Sequence, residues 1–135
     1  MFYLPLEYYN EMIAHLQAEA PNEGCGLLAG RDGQIFKHYR ARNAERSPVL
    51  YSIDAKELLG CIRDMDAQGW ELLAIYHSHT HSQAYPSATD VKLAYYPDSV
   101  YLIISLEDSQ QPVVRGFRIV EGVITEEEMV LGTGT

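Results

Sequence analysis

The sequence predicts an α/β fold, one domain in which helices flank a mixed β-sheet. Segments with apolar residues three and four apart alternate with short apolar runs of strand length, and turn signals separate them. Read this way the element order is α-β-β-α-β-α-β-β-β, which helices packed on a mixed sheet accommodate. At 135 residues the chain has the size of a single core. No repeat, low-complexity block or Pro/Gly/Ser linker divides it, so residues 1–135 are read as one domain.

Each element has a local cause. Leu6, Tyr9, Ile13, Leu16 and Ala20 share one helical face; Pro5 suits the first turn and Pro21 stops the helix. Gly26–Gly30 is a short apolar strand, Asp32-Gly33 a hairpin turn, and Gln34–Arg42 the returning strand. Asp54 and Glu57 form a capping pair for a second helix, with Leu58, Leu59, Ile62 and Met65 as its buried stripe and Gly69 as its left-handed end. Trp70–His79 is a buried strand, and Ser87–Tyr95 is a short helix set between Pro86 and Pro97. Ser99–Leu106, Val113–Val120 and Val123–Leu131 are the closing strands, the last two joined at Glu121-Gly122.

Composition excludes several function classes. Hydrophobic residues at 47% against 21% charged rule out wholesale disorder. A net charge of -9 lacks the basic footprint that non-specific nucleic-acid binding needs, and it disfavours docking on an anionic membrane. No apolar run approaches the roughly 20 residues of a membrane span. The two cysteines, Cys25 and Cys61, form no CxxC pair or disulfide framework, so a cytoplasmic location is expected.

The chemistry is concentrated in His77-Ser78-His79-Thr80-His81 and the stretch that follows to Asp90. Two residues apart at a strand end, the His77 and His79 imidazoles leave the same face. Such a pair suits Zn²⁺, and an oxygen donor would complete a three-ligand set with an open fourth position. The pair alone is a weak signal and fits ordinary histidines with satisfied hydrogen bonds better than a metal site. Asp90 alone fits a helix-start carboxylate, and Ser87-x-x-Asp90 an ordinary capping box.

Together with Glu23-Gly24-Cys25-Gly26-Leu27-Leu28, this segment resembles the JAMM (MPN) zinc metalloprotease family. Its pattern is a glutamate ahead of a strand, then His-x-His, ten residues, and Asp; Glu23, His77, His79, Ser87 and Asp90 occupy the five functional positions. The resemblance implies a JAMM/MPN-like (cytidine-deaminase-like) mixed sheet flanked by helices across nearly the whole chain. It implies that His77, His79 and Asp90 hold one Zn²⁺ per chain. It implies that Glu23 acts as general base and acid on the attacking water, and that Ser87 donates to the oxyanion. Thr80 departs from the commonest form, where proline follows the second histidine. His-Ser-His-Thr-His with Ala-Tyr-Pro-Ser resembles instead a bacterial branch that trims ubiquitin-like sulfur-carrier proteins at a Gly-Gly-type tail, one type releasing cysteine in cysteine biosynthesis. The chain is short for the insertions that grip polyubiquitin, and a homodimer stays open.

Two other functions compete: a zinc amidase for small molecules or short peptides, and a non-catalytic scaffold or binding module. His81 is read as an exposed loop residue, and His15 and His38 as surface residues. Cys25 is read as a small buried strand residue, Cys61 as core or near-core, and the tyrosines as half-buried packing. Glu126-Glu127-Glu128 is read as a solvated guard on an edge strand.

Overall fold

The computed structural model describes residues 1–132. Its main sheet has six strands in the spatial order β3-β2-β4-β5-β6-β7: β2 is Cys25–Arg31, β3 Gln34–Ala41, β4 Glu71–His79, β5 Val100–Ser105, β6 Val113–Val120 and β7 Val123–Glu127. Only the β4–β5 pair is parallel, so the sheet is mixed, as the sequence predicts. Asp32 (φ 55°) and Gly33 (φ 77°) turn the β2–β3 hairpin through the left-handed region, as do Glu121 (φ 50°) and Gly122 (φ 80°) between β6 and β7.

The two sheet faces carry separate cores. Leu28, Ala74, Tyr76, Leu102 and Ile104 face α1 (Leu6–Glu19). Leu27, Ile75, Tyr101 and Ile103 face α2 (Ala55–Gln68), together with residues of the short α3 (Ala88–Lys92) and the loop after it. From Ala74 onward, past a register irregularity opposite Leu28 and Ala29, period-two alternation along β4 thus sends the odd-numbered residues, His77 and His79 included, to the α2–α3 side.

Several expected boundaries move. A further strand, β1 (Phe2–Pro5), precedes α1, and the expected Val123–Leu131 strand divides into β7 and β8 (Met129–Gly132). β8 leaves the six-stranded sheet and pairs in parallel with β1, Phe2 opposite Met129, which carries Met129 onto the α1-side core. The buried side of α1 centres on Met12 and Leu16, with Tyr8, Tyr9 and Ile13 beside them, while Leu6 and Ala20 at its ends are exposed. In α2, Leu58, Cys61, Ile62 and Met65 turn inward, whereas Leu59 is exposed, about 100° around the helix from Leu58. Asp54 does cap α2, accepting from the Lys56 and Glu57 N–H groups; the Glu57 carboxylate turns away and accepts from the Arg42 N–H instead. The helix expected over Ser87–Tyr95 is confined to Ala88–Lys92, with Ser87 as its N-cap. Pro97 disfavours helical backbone at Tyr96, whose N–H bonds the Tyr101 hydroxyl.

His15 and His38 are packing residues rather than surface ones. His15 Nε2 lies 3.0 Å from the Cys25 carbonyl and 3.2 Å from that of Ala41, tying α1 to β2 and β3. His38 donates from Nδ1 to Glu11 at 2.9 Å and accepts at Nε2 from the Tyr76 hydroxyl at 2.6 Å. The acidic run on β7 is only partly a solvated guard: Glu126 pairs with Arg115, and Glu127 with Arg118. Among the described residues no helix is long and apolar enough to cross a membrane.

Candidate metal centre

The C-terminal end of β4 delivers His77 and His79, and the first turn of α3 delivers Asp90. Asp90 Oδ2 stands 3.2 Å from His77 Nε2 and 3.0 Å from His79 Nε2, with 3.1 Å between the two nitrogens. Ser87 orients the carboxylate through a reciprocal capping box. Its N–H donates to Asp90 Oδ2 at 2.9 Å, and its Oγ accepts from the Asp90 N–H at 3.1 Å. The Ser87 hydroxyl hydrogen is not used in that cap. The capping reading and the ligand reading of Asp90 therefore describe the same carboxylate.

The donor set fits a divalent cation. His79 donates from Nδ1 to the Gln83 carbonyl at 2.8 Å, so a neutral ring presents only a lone pair at Nε2. That lone pair faces Asp90 Oδ2, which is also an acceptor. Two acceptors 3.0 Å apart need a proton or a cation between them. Zinc bonds of about 2.0–2.1 Å in a tetrahedron place ligand atoms about 3.3 Å apart, close to all three separations here. The three groups are the cluster of metal-ligating side chains found among the described residues.

His77 is held differently. Its Nδ1 is buried and has no hydrogen-bond partner among the described residues, and the Tyr51 ring stacks on the imidazole at 4.3 Å between centroids and 20° between planes. Burial lowers the His77 pKa against the pull of Asp90, favouring the neutral ring that a metal takes. Burial opposes the charged carboxylate of Asp90 as well, but the neighbouring imidazoles and the Ser87 N–H outweigh it and hold the carboxyl well below its ordinary range.

Glu23 reaches this group from the opposite strand. It lies just before β2, and the Gly24 N–H donates to Ser78 Oγ at 2.8 Å while the Ser78 N–H donates to the Gly24 carbonyl at 3.0 Å. Continuing the Cys25–His77 register by two residues sets Glu23 across from His79, on the same face. The residue is 5% exposed. Burial pushes its carboxyl up to about 7, with His79 pulling the other way and Asp90 adding to the rise.

The other singled-out residues fall away from the chemistry. Cys25 is buried and its thiol is pushed up to about 12, first by burial and then by Glu57, Glu19 and Glu23. Cys61 is half-buried in the α2-side core. His81 is exposed and pairs through Nδ1 with Thr80 Oγ1. Thr80, where proline would carry no hydroxyl, reaches the Pro48 carbonyl at 3.3 Å. Most tyrosines are half-buried or better, but Tyr95 is 72% exposed.

Asn43 and Tyr51 escape the sequence reading. Both lie in the segment 42–54 between β3 and α2, which passes over the cluster. The one signal available is length: a connection well beyond the usual four to six residues is usually either a functional loop or a linker.

A profile of prokaryotic homologs of the JAB domain (Prok-JAB) matches residues 5–120. The chain belongs to this family. Among curated members it is 45% identical over 120 residues to the CysO-cysteine peptidase of Mycobacterium tuberculosis, covering 87% of this chain and 82% of the relative. It is 40% identical over 95 residues to a probable TtuB-protein conjugate cleaving protease of Thermus thermophilus, covering 70% of this chain and 64% of the relative. A Haloferax volcanii desampylase is 34% identical over 90 residues, covering 64% and 65% of the two chains. A Desulfitobacterium hafniense protein solved in solution superposes with TM-score 0.88 at 41% identity, covering 98% of this chain and 94% of that one. A JAB1/MPN domain protein of Archaeoglobus fulgidus shares the fold at TM-score 0.62 and 16% identity, over 96% and 99% of the two chains. As a Prok-JAB chain with relatives named peptidase and protease, it is a protease.

Proposed function

We propose that this Prok-JAB protein is a zinc metallopeptidase that hydrolyses the amide bond at the C-terminal tail of a ubiquitin-like sulfur-carrier protein, releasing cysteine from it. The observation that carries this reading is the convergence of His77, His79 and Asp90 on one point, with the buried Glu23 carboxyl across the strand pair. Similarity to a CysO-cysteine peptidase over most of both chains supports the choice of substrate.

In this reading His77, His79 and Asp90 hold the ion through two nitrogens and one oxygen. Zinc there would supply Lewis acidity toward a carbonyl and a water made acidic near neutral pH. Glu23 takes a proton from the attacking water and returns it to the leaving amine as the C–N bond breaks. A carboxyl lifted toward 7 by burial suits both halves of that transfer. Ser87 keeps its hydroxyl hydrogen for the carbonyl oxygen as negative charge develops on it, while its Oγ lone pair caps α3. The free cysteines, buried Cys25 and half-buried Cys61, support the reducing cytoplasm as its location.

The test is to incubate the zinc-loaded protein with a folded carrier ending in Gly-Gly-Cys and with a free peptide of the same ending. Mass loss of one cysteine from the carrier, much faster than from the peptide and abolished by a chelator, is the expected result. Equal rates on both would favour a small-molecule amidase, and full activity without metal would end the zinc reading.

A further inference from the structure

Several bonds fasten the segment between β3 and α2 over the cluster, and one side chain makes four of them. Asn43 is 3% exposed. Its Nδ2 donates to the Glu23 carbonyl and to the Leu50 carbonyl, both at 2.9 Å. Its Oδ1 accepts from the Glu45 N–H at 2.9 Å and the Ser52 N–H at 3.2 Å. The two Oδ1 bonds and the one to Leu50 shape the loop itself; the bond to Glu23 leaves it. Leu50 directly precedes Tyr51, whose ring covers His77. One carboxamide therefore joins the backbone that carries the buried acid to the backbone that carries the ring over a metal-ligating histidine. Two further bonds run in the same sense: the Glu23 N–H donates to the Ser47 carbonyl at 2.8 Å, and Thr80 Oγ1 to that of Pro48 at 3.3 Å.

We propose that Asn43 is a positioning residue for the hydrolysis, fixing the Glu23 backbone and the Tyr51 ring relative to each other and thereby setting the acid against the cluster. The inference rests on the reading of Glu23 as base. A base displaced by about 1 Å from its proton can lose about 10²-fold in rate, so a clasp on its backbone carries kinetic weight. Turn-shaping alone would not require a bond to Glu23.

The test uses the full chain with Asn43→Asp and Asn43→Ala. Aspartate keeps both acceptor bonds within the loop, but as a carboxylate it cannot donate to the Glu23 and Leu50 carbonyls. In metal-free Asn43→Asp, amide exchange at Glu23 should speed up about tenfold or more, while the β2 amides of Leu27 and Leu28 keep their rates. In the zinc-loaded variant kcat should fall about 10- to 100-fold with KM within about threefold and zinc still one per chain. Asn43→Ala should show larger effects of the same kind. Wild-type exchange at Glu23 in a folded Asn43→Asp, or a kcat within about twofold of wild type, would overturn the proposal. Wild-type protein with no hydrolysis would sink the peptidase reading instead, and exchange at Glu23 would then decide the clasp by itself.

Discussion

The Tyr51 ring lies nearly parallel to the His77 imidazole, 4.3 Å away, and packs on the ring whose Nδ1 finds no hydrogen-bond partner among the described residues. Metal-ligating histidines are ordinarily oriented through the nitrogen that does not touch the metal, and in His79 the Gln83 carbonyl holds that nitrogen. An aromatic stack of this kind is worth about 0.5–1.5 kcal/mol, which corresponds to roughly 2- to 12-fold in affinity. Tyr51→Ala should weaken zinc binding by that factor, and Tyr51→Phe, which keeps the ring, should not. Competition with a chromophoric chelator measures both.

Glu23→Gln removes the proposed proton acceptor while keeping the side chain's shape. Turnover of the carrier should fall about 10²- to 10⁴-fold, the range general acid–base catalysis supplies. Zinc content should stay at one per chain. Wild-type rates in this variant would remove Glu23 from the reaction.

The same side chain sets a pH dependence in the metal-free protein. With a folded pKa of about 7 against an ordinary 4.5, the folded state holds a proton that the unfolded state has released between those values. Stability therefore falls as pH rises from 4.5 to 7 and levels off above, while below 4.5 both states are protonated and nothing is lost. Screened by nearby solvent, the penalty is on the order of 1–2 kcal/mol. Chelated Glu23→Gln should melt higher than wild type at pH 8 and alike at pH 4.

Ser87 caps α3, and in the proposed mechanism it also donates to the oxyanion; substitution separates the two. Glycine at an N-cap costs only a few tenths of a kcal/mol relative to serine, so Ser87→Gly should leave the melting temperature almost unchanged. Losing the hydroxyl donor should nonetheless lower kcat by about 10²- to 10³-fold. Ser87→Thr, with cap and donor both retained, should stay within a fewfold of wild type.

Thiol chemistry should be irrelevant. With Cys25 fully buried and its thiol near 12, iodoacetamide at neutral pH should leave carrier cleavage intact while a chelator abolishes it. Inactivation by alkylation of the folded protein would implicate a cysteine after all.

What the sequence reveals of this architecture follows the range over which each signal acts. The hairpin at Asp32-Gly33 and the left-handed end at Gly69 are local, and both stand where the residues place them. His77, His79 and Asp90 could be grouped because strand alternation and one short helix bring them together within a single stretch. Glu23 lies far upstream and emerges only from the family resemblance, since its place beside His79 depends on β2–β4 pairing. Leu59 shows that apolar character alone does not assign a helix face when neighbours are apolar too. The division of the last strand depends on β1 at the other end of the chain, and the order of the Asn43–Tyr51 segment comes from contacts to distant backbone rather than from propensity. His15 and His38 were hidden for the same reason: their partners are on other elements.

The central claim is that His77, His79 and Asp90 share one zinc ion. A crystal grown with zinc and measured on either side of its absorption edge tests this most directly. One anomalous peak about 2.0–2.2 Å from His77 Nε2, His79 Nε2 and an Asp90 carboxylate oxygen, with Glu23 facing its open side, is the predicted result. A peak elsewhere, or full occupancy retained in a His77→Ala/His79→Ala double variant, would contradict it.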